Sequence, residues 1–115
     1  MPLLNISTSV PLEGLNTSDI LSKTSKSGAK IIGKPEAYVM LQLKGSVAIL
    51  FGSTEQPAAY GELVSIGGLG SDTNKKLRAA IATILETKLA VPKSRFYIKF
   101  YDVKRSDFGW SGTIL

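Results

Sequence analysis

The chain has 115 residues, 43% of them hydrophobic and 20% charged, which is enough apolar matter for one domain with a real core and too much for a disordered tail. It contains neither Cys nor His, which excludes disulfides, thiolate chemistry and Cys-rich zinc sites and removes the commonest acid/base group and metal ligand. The net charge is +5, but Lys and Arg are scattered along the chain, the pattern of a solvated basic surface rather than of a nucleic-acid footprint.

Catalysis, if any, must come from carboxylates, Lys, Tyr, backbone amides or the N-terminus, and neither cofactor nor metal is expected. No apolar run approaches the roughly 18 residues of a membrane span. The opening MPLLNISTSVPLEGLNTSD has no basic n-region and no long apolar core, so a cytoplasmic protein is expected. The sequons at Asn5 and Asn16 are then chance matches.

The chain begins Met1-Pro2. A small residue after the initiator Met permits Met removal, which would leave a secondary amine at Pro2. Such a nitrogen, with its pKa drawn toward neutrality, is a general base or nucleophile. A retained Met would make it an amide and abolish its basicity. The plain alternative is that Pro2 only starts an edge strand.

Leu3 to Val10 reads as a strand ended by Pro11 and Gly14. Asn16 or Thr17 caps a helix with Ile20, Leu21, Thr24, Gly28, Ala29 and Ile32 at helical spacing, and Gly33 with Pro35 stops it. Tyr38 to Leu43 and Val47 to Phe51 are expected to form a hairpin around Lys44-Gly45-Ser46. After the loop Gly52 to Pro57, Ala58 to Ile66 is extended. Ser71 or Asp72 is expected to cap a second helix with Leu77, Ala80, Ile81, Ile84, Leu85 and Leu89 on one stripe. Arg95 to Val103 is the last long strand, and Phe108 to Trp110 and Thr113 to Leu115 are short ones.

The order β-α-β-β-β-α-β divides into two similar halves, with Lys34-Pro35-Glu36-Ala37-Tyr38-Val39 set against Pro92-Lys93-Ser94-Arg95-Phe96-Tyr97. Two βαβ units with right-handed crossovers give an α+β fold, one sheet with both helices on one face. Val39-Met40-Leu41 and Ala48 to Phe51 are continuously apolar, a sign of burial on both faces. Two helices cover only one face, so the other is expected to pack on copies of the chain.

Lys34 lies on a Gly-Lys-Pro turn before a strand, Ser65-Ile66-Gly67-Gly68 presents backbone N–H groups at a strand end, and Tyr97 offers a phenol. Singly, each has an ordinary structural reading. In this order, with Met1-Pro2, Phe51-Gly52-Ser53, Arg95-Phe96-Tyr97-Ile98, Phe100-Tyr101-Asp102 and Gly109-Trp110, the whole chain resembles the macrophage migration inhibitory factor / D-dopachrome tautomerase family, most closely its plant-type branch. The resemblance implies a homotrimer whose sheets form a central barrel. It also implies keto–enol tautomerase sites between subunits, acting on phenylpyruvate- or dopachrome-like aromatic α-keto acids and enols. It assigns Pro2 as the base and Lys34 and the Ile66 amide as holders of substrate oxygen. Ser65 and Val64 line the pocket, Tyr38 and Trp110 wall it, and Tyr97 arrives from a neighbour. A nearby Lys34 cation would penalise the protonated amine and stabilise an enolate.

Two departures matter. Lys99 stands where mammalian members carry Asn. This second cation at the mouth can lower the amine's pKa further, select a more acidic substrate, or pair with a carboxylate and block the pocket, in which case activity is weak or lost. The Cys-x-x-Cys of some members falls at Ala58 and Gly61, which excludes thiol oxidoreductase activity. The alternative function is a cytokine-like, receptor-binding protein with an altered pocket, secreted by an unconventional route. An RNA-binding sheet is disfavoured, because Arg95 to Phe100 lacks the accompanying Gly and no open sheet face is expected.

Overall fold

The computed structural model describes residues 2–111 and the backbone of residues 113–114. Its elements are β1 (Leu3–Thr8), α1 (Thr17–Ile32), β2 (Met40–Lys44), β3 (Ala59–Ser65), α2 (Ser71–Leu89), β4 (Phe96–Asp102) and the two-residue strands β5 (Gly109–Trp110) and β6 (Thr113–Ile114). The main sheet has the order β2-β1-β3-β4. β1 runs parallel to β2, and β3 parallel to β4, while the two central strands are antiparallel. The fold is thus two βαβ units side by side, as the sequence pattern predicts.

Alternation in the strands sends Leu4, Ile6 and Leu63 toward the helices, where they meet Ile20 and Ile32 of α1 and Leu77, Ile81 and Leu85 of α2. Burying a side chain of this kind is worth about 1.5–3 kcal/mol. Thr8 is fully buried and is satisfied by donating to the Ala58 carbonyl at 2.9 Å.

The halves repeat in detail. α1 ends on Gly33 and α2 on Ala90, both left-handed, with φ of 78° and 56°. Pro35 and Pro92 follow with φ of −60° and −59°, and each opens a 3-10 turn, Glu36–Tyr38 and Lys93–Arg95. The last N–H of each turn returns to the proline carbonyl, Tyr38 to Pro35 at 3.1 Å and Arg95 to Pro92 at 2.9 Å. The two prolines coincide, so the repeat runs one residue out of step with the sequence comparison above, and Arg95 is the counterpart of Tyr38.

Two local expectations are corrected. Val47–Leu50 is not a strand and makes no hairpin with β2. The Ser46 and Val47 amides bond instead to Val10 and Thr8, and Phe51 bridges to Thr54. A strand requires a partner's backbone, and within one chain β1 already occupies the inner edge of β2. Neither Ser71 nor Asp72 caps α2. Gly70 holds the cap position without a side-chain bond, and its N–H donates to Asn74. The uncovered sheet face is not uniformly apolar. It carries Asn5, Gln42, Lys44, Glu62 and Lys99 among its side chains, and the large apolar ones most exposed on its edge strands are Met40 (61%) and Tyr97 (65%), with Leu50 (69%) beyond β2.

Candidate active site

Pro2 is buried at the head of β1. Its carbonyl accepts from the Met40 amide at 3.0 Å, and the next residue, Leu3, pairs with Met40 on one side and Val64 on the other. Pro2 is therefore held between the start of β2 and the end of β3, where side chains from both can reach it. A cleft of about 380 Å³ opens beside it, lined by Pro2, Tyr38, Val39, Met40, Phe108 and Trp110 among others. Tyr38 and Trp110 meet edge to face with centroids 6.0 Å apart, forming an aromatic wall. Of the expected site residues, Pro2, Tyr38 and Trp110 line this one cleft.

The end of β3 supplies a second group. The Ser65 hydroxyl, fully buried, donates to the Gly67 carbonyl at 2.7 Å. The Gly67 N–H donates to the Asp102 carboxylate at 3.0 Å, and the Val103 N–H to the Ser65 carbonyl at 3.0 Å. These bonds fix a turn in which Gly67 and Gly68 have φ of 71° and 77°, angles that favour glycine. Among the described residues the Ile66 N–H has no acceptor. The half-buried Lys34 rests its stem against Gly68. Lys34, Val64, Ser65 and Ile66 thus stand at the Pro2 end of the sheet, flanking the cleft from the β3 side rather than lining it.

Tyr97 and Lys99 lie elsewhere. Tyr97 pairs with Tyr60, which pairs with Ser7, five residues along β1 from Pro2. At strand spacing that is roughly 17 Å, so Tyr97 cannot enter the cleft of its own chain. Lys99 pairs across the sheet with Glu62, yet its ammonium lies over the Tyr101 ring, 5.0 Å from the centroid. Glu62 accepts from the hydroxyls of Tyr60 at 2.9 Å and Tyr101 at 3.1 Å. The bond to Glu62 raises the Tyr60 phenol above its ordinary pKa, because ionisation would set two anions together.

Several contributors were not evident from the sequence. Met40 and Phe108 line the cleft although they read as strand residues, and only their place beside Pro2 in the folded sheet reveals this. Asp102 orients the turn that bears Ile66, but nothing local marks a carboxylate whose donor is 35 residues away. A left-handed turn is signalled by Gly67-Gly68; the support that Gly68 gives Lys34 is not.

The family model described as macrophage migration inhibitory factor (MIF) matches residues 1–115. A macrophage migration inhibitory factor homolog from Trichuris trichiura is 41% identical over 98% of both chains. Among solved structures, the homologue from Prochlorococcus marinus superimposes with a TM-score of 0.94 at 34% identity, covering 97% of each chain. The factor from Trichinella spiralis gives 0.91 at 35% identity, covering 98% of this chain and 99% of its own. This chain, with its paired βαβ units and its cleft at the head of β1, belongs to the macrophage migration inhibitory factor family and has that family's tautomerase fold.

Proposed function

We propose that the protein is a cytoplasmic keto–enol tautomerase of phenylpyruvate- or dopachrome-like substrates, with Pro2 as its base after Met1 is removed. The observation that carries this reading is the burial of Pro2 at a strand head, opening on an aromatic-walled cleft. Tyr38 and Trp110 would hold the substrate ring. The prolyl nitrogen would take the proton α to the carbonyl, and the Lys34 ammonium and the Ile66 N–H would stabilise the enolate oxygen. The same prolyl group would return the proton at the other site of the enolate. Burial and the Lys34 charge both disfavour a protonated amine, so the nitrogen should titrate below a free secondary amine.

The site is completed by a second copy. The exposed apolar side chains of the edge strands, Met40 on β2 and Tyr97 on β4, would be covered if the β2 edge of one chain met the β4 edge of the next. Repeated three times, this closes a ring, the homotrimer typical of the family. It would bring Tyr97 and Lys99 of one chain toward the cleft of another.

The test is ketonisation of phenylpyruvate by Met-free protein across a pH series. The expected result is a rate that falls to background in Pro2→Ala and an acid limb below the pKa of a free secondary amine. A Pro2→Ala rate equal to the parent's would overturn the reading.

A second reading, a cytokine-like binding protein with an altered pocket, is favoured by the relatives' designation as migration inhibitory factors. Receptor-type binding retained by an inactive Pro2→Gly protein would support it, and loss of binding together with activity would count against it.

A further inference from the structure

Arg95 closes the 3-10 turn before β4 and is bonded to an unusual degree. Its Nε donates to the Pro57 carbonyl at 2.9 Å, Nη1 to Phe51 at 3.1 Å, and Nη2 to Thr54 at 3.2 Å and Gln56 at 3.0 Å. Four carbonyls from one loop thus converge on a fork that offers five N–H donors. The guanidinium also lies over the Phe51 ring, 5.0 Å from its centroid. The edge-to-face partner of Phe51 is Tyr97, at 5.0 Å. The loop cannot hold this shape cheaply without help, since Ser53, a non-glycine residue, sits at φ 65°.

An exposed tyrosine on an edge strand, such as Tyr97, is free to populate several rotamers. Here one side of its ring is fixed by Phe51, and Phe51 is fixed by Arg95. Tyr38, at the equivalent turn position of the first half, walls the cleft of its own chain, whereas Arg95 points into the loop that supports Tyr97.

We propose that Arg95, acting through Phe51, is the positioning residue that sets Tyr97 for the cleft of an adjoining copy. The proposal rests on the reading that Tyr97 serves a neighbour's site. Arg95 touches no substrate. Its loss frees the Tyr97 ring in one chain and impairs substrate capture in the cleft that ring faces.

The experiment is subunit complementation. Arg95→Ala and Pro2→Ala proteins are assayed separately, then unfolded together and refolded as mixed assemblies. Arg95→Ala alone should raise KM with kcat nearly kept, a loss of about tenfold to a hundredfold in kcat/KM. In an equal mixture, one in four clefts joins Pro2 of an Arg95→Ala chain to Tyr97 of a Pro2→Ala chain, so about a quarter of the parent activity should return. Phe51→Leu, which keeps the carbonyl ligands but removes the aromatic edge, should complement in the same way and serves if Arg95→Ala does not fold. A purely structural role damages each chain's own cleft, and no mixture then recovers. Absent recovery with both variants, or an unimpaired Arg95→Ala homotrimer, overturns the proposal. A parent protein whose rate is unchanged by Pro2→Ala removes the tautomerase reading itself, and this proposal falls with it.

Discussion

Gly68 and Lys34 are packed so closely that the first can be nothing larger without moving the second. A β-carbon on Gly68 would lie 3.3 Å from Lys34 Cε and 2.8 Å from Ile32 Cγ2. At Gly67, which has nearly the same φ, nothing lies within 4 Å of that position. The two glycines therefore separate backbone strain from contact. Alanine at either should cost about 1 kcal/mol of stability through its left-handed φ, and more at Gly68, where the buried Ile32 must also shift. Only Gly68→Ala should also displace Lys34 and reduce kcat/KM, by about tenfold or more. Thermal unfolding beside steady-state kinetics checks both halves of this expectation.

Ala90 does in the second half what Gly33 does in the first. Both end a helix in the left-handed region, and both amides return to carbonyls of the last turn, Gly33 to Ala29 at 2.9 Å and Ala90 to Glu86 at 3.1 Å. A β-carbon is disfavoured there. Ala90→Gly should stabilise the protein by about 0.5–1 kcal/mol, less whatever the unfolded chain gains in freedom, and Gly33→Ala should destabilise it by a similar amount. Denaturant midpoints compared at unchanged slope measure both.

Asp19 joins the two helices. Its carboxylate lies 2.8 Å from Lys88 of α2 and 3.3 Å from Lys23 of its own helix. The hydrogen bond from Lys88, and then that from Lys23, lowers its pKa below the ordinary carboxylate range. A carboxyl with a depressed folded-state pKa stabilises the fold above its unfolded value, near 3.9, and loses that contribution as pH falls through the folded value. Lys88→Met should flatten stability across this acid window and leave the slope at pH 5–7 unchanged. Because the pair is exposed, added salt should narrow the difference between variant and parent.

The element order was legible because helix periodicity, left-handed helix ends and proline breaks are local signals, and so was the pairing of the two βαβ units. The hairpin that the apolar run Val47 to Phe51 suggests does not form, for a physical reason. Those residues favour extended backbone, but a strand exists only where another backbone pairs with it along a ladder, and among the described residues only the Val47 amide finds such a partner, the Thr8 carbonyl. Pro2, Tyr38 and Trp110, which motif and order single out, line one cleft. The supports are not marked in this way: Asp102 on Gly67 and Arg95 on Phe51 act over 35 and 44 residues of sequence. Such partners are set by the strand register alone, and single-residue character carries no trace of it.

On the proposed mechanism a secondary amine at Pro2 moves the proton, and one peptide bond decides whether that amine exists. Two preparations of the same chain, one beginning at Pro2 and the other retaining Met1, can be verified by intact mass and compared in phenylpyruvate ketonisation. Turnover is expected from the first and background from the second, with equal thermal stability and equal assembly. Equal rates from both would contradict the mechanism.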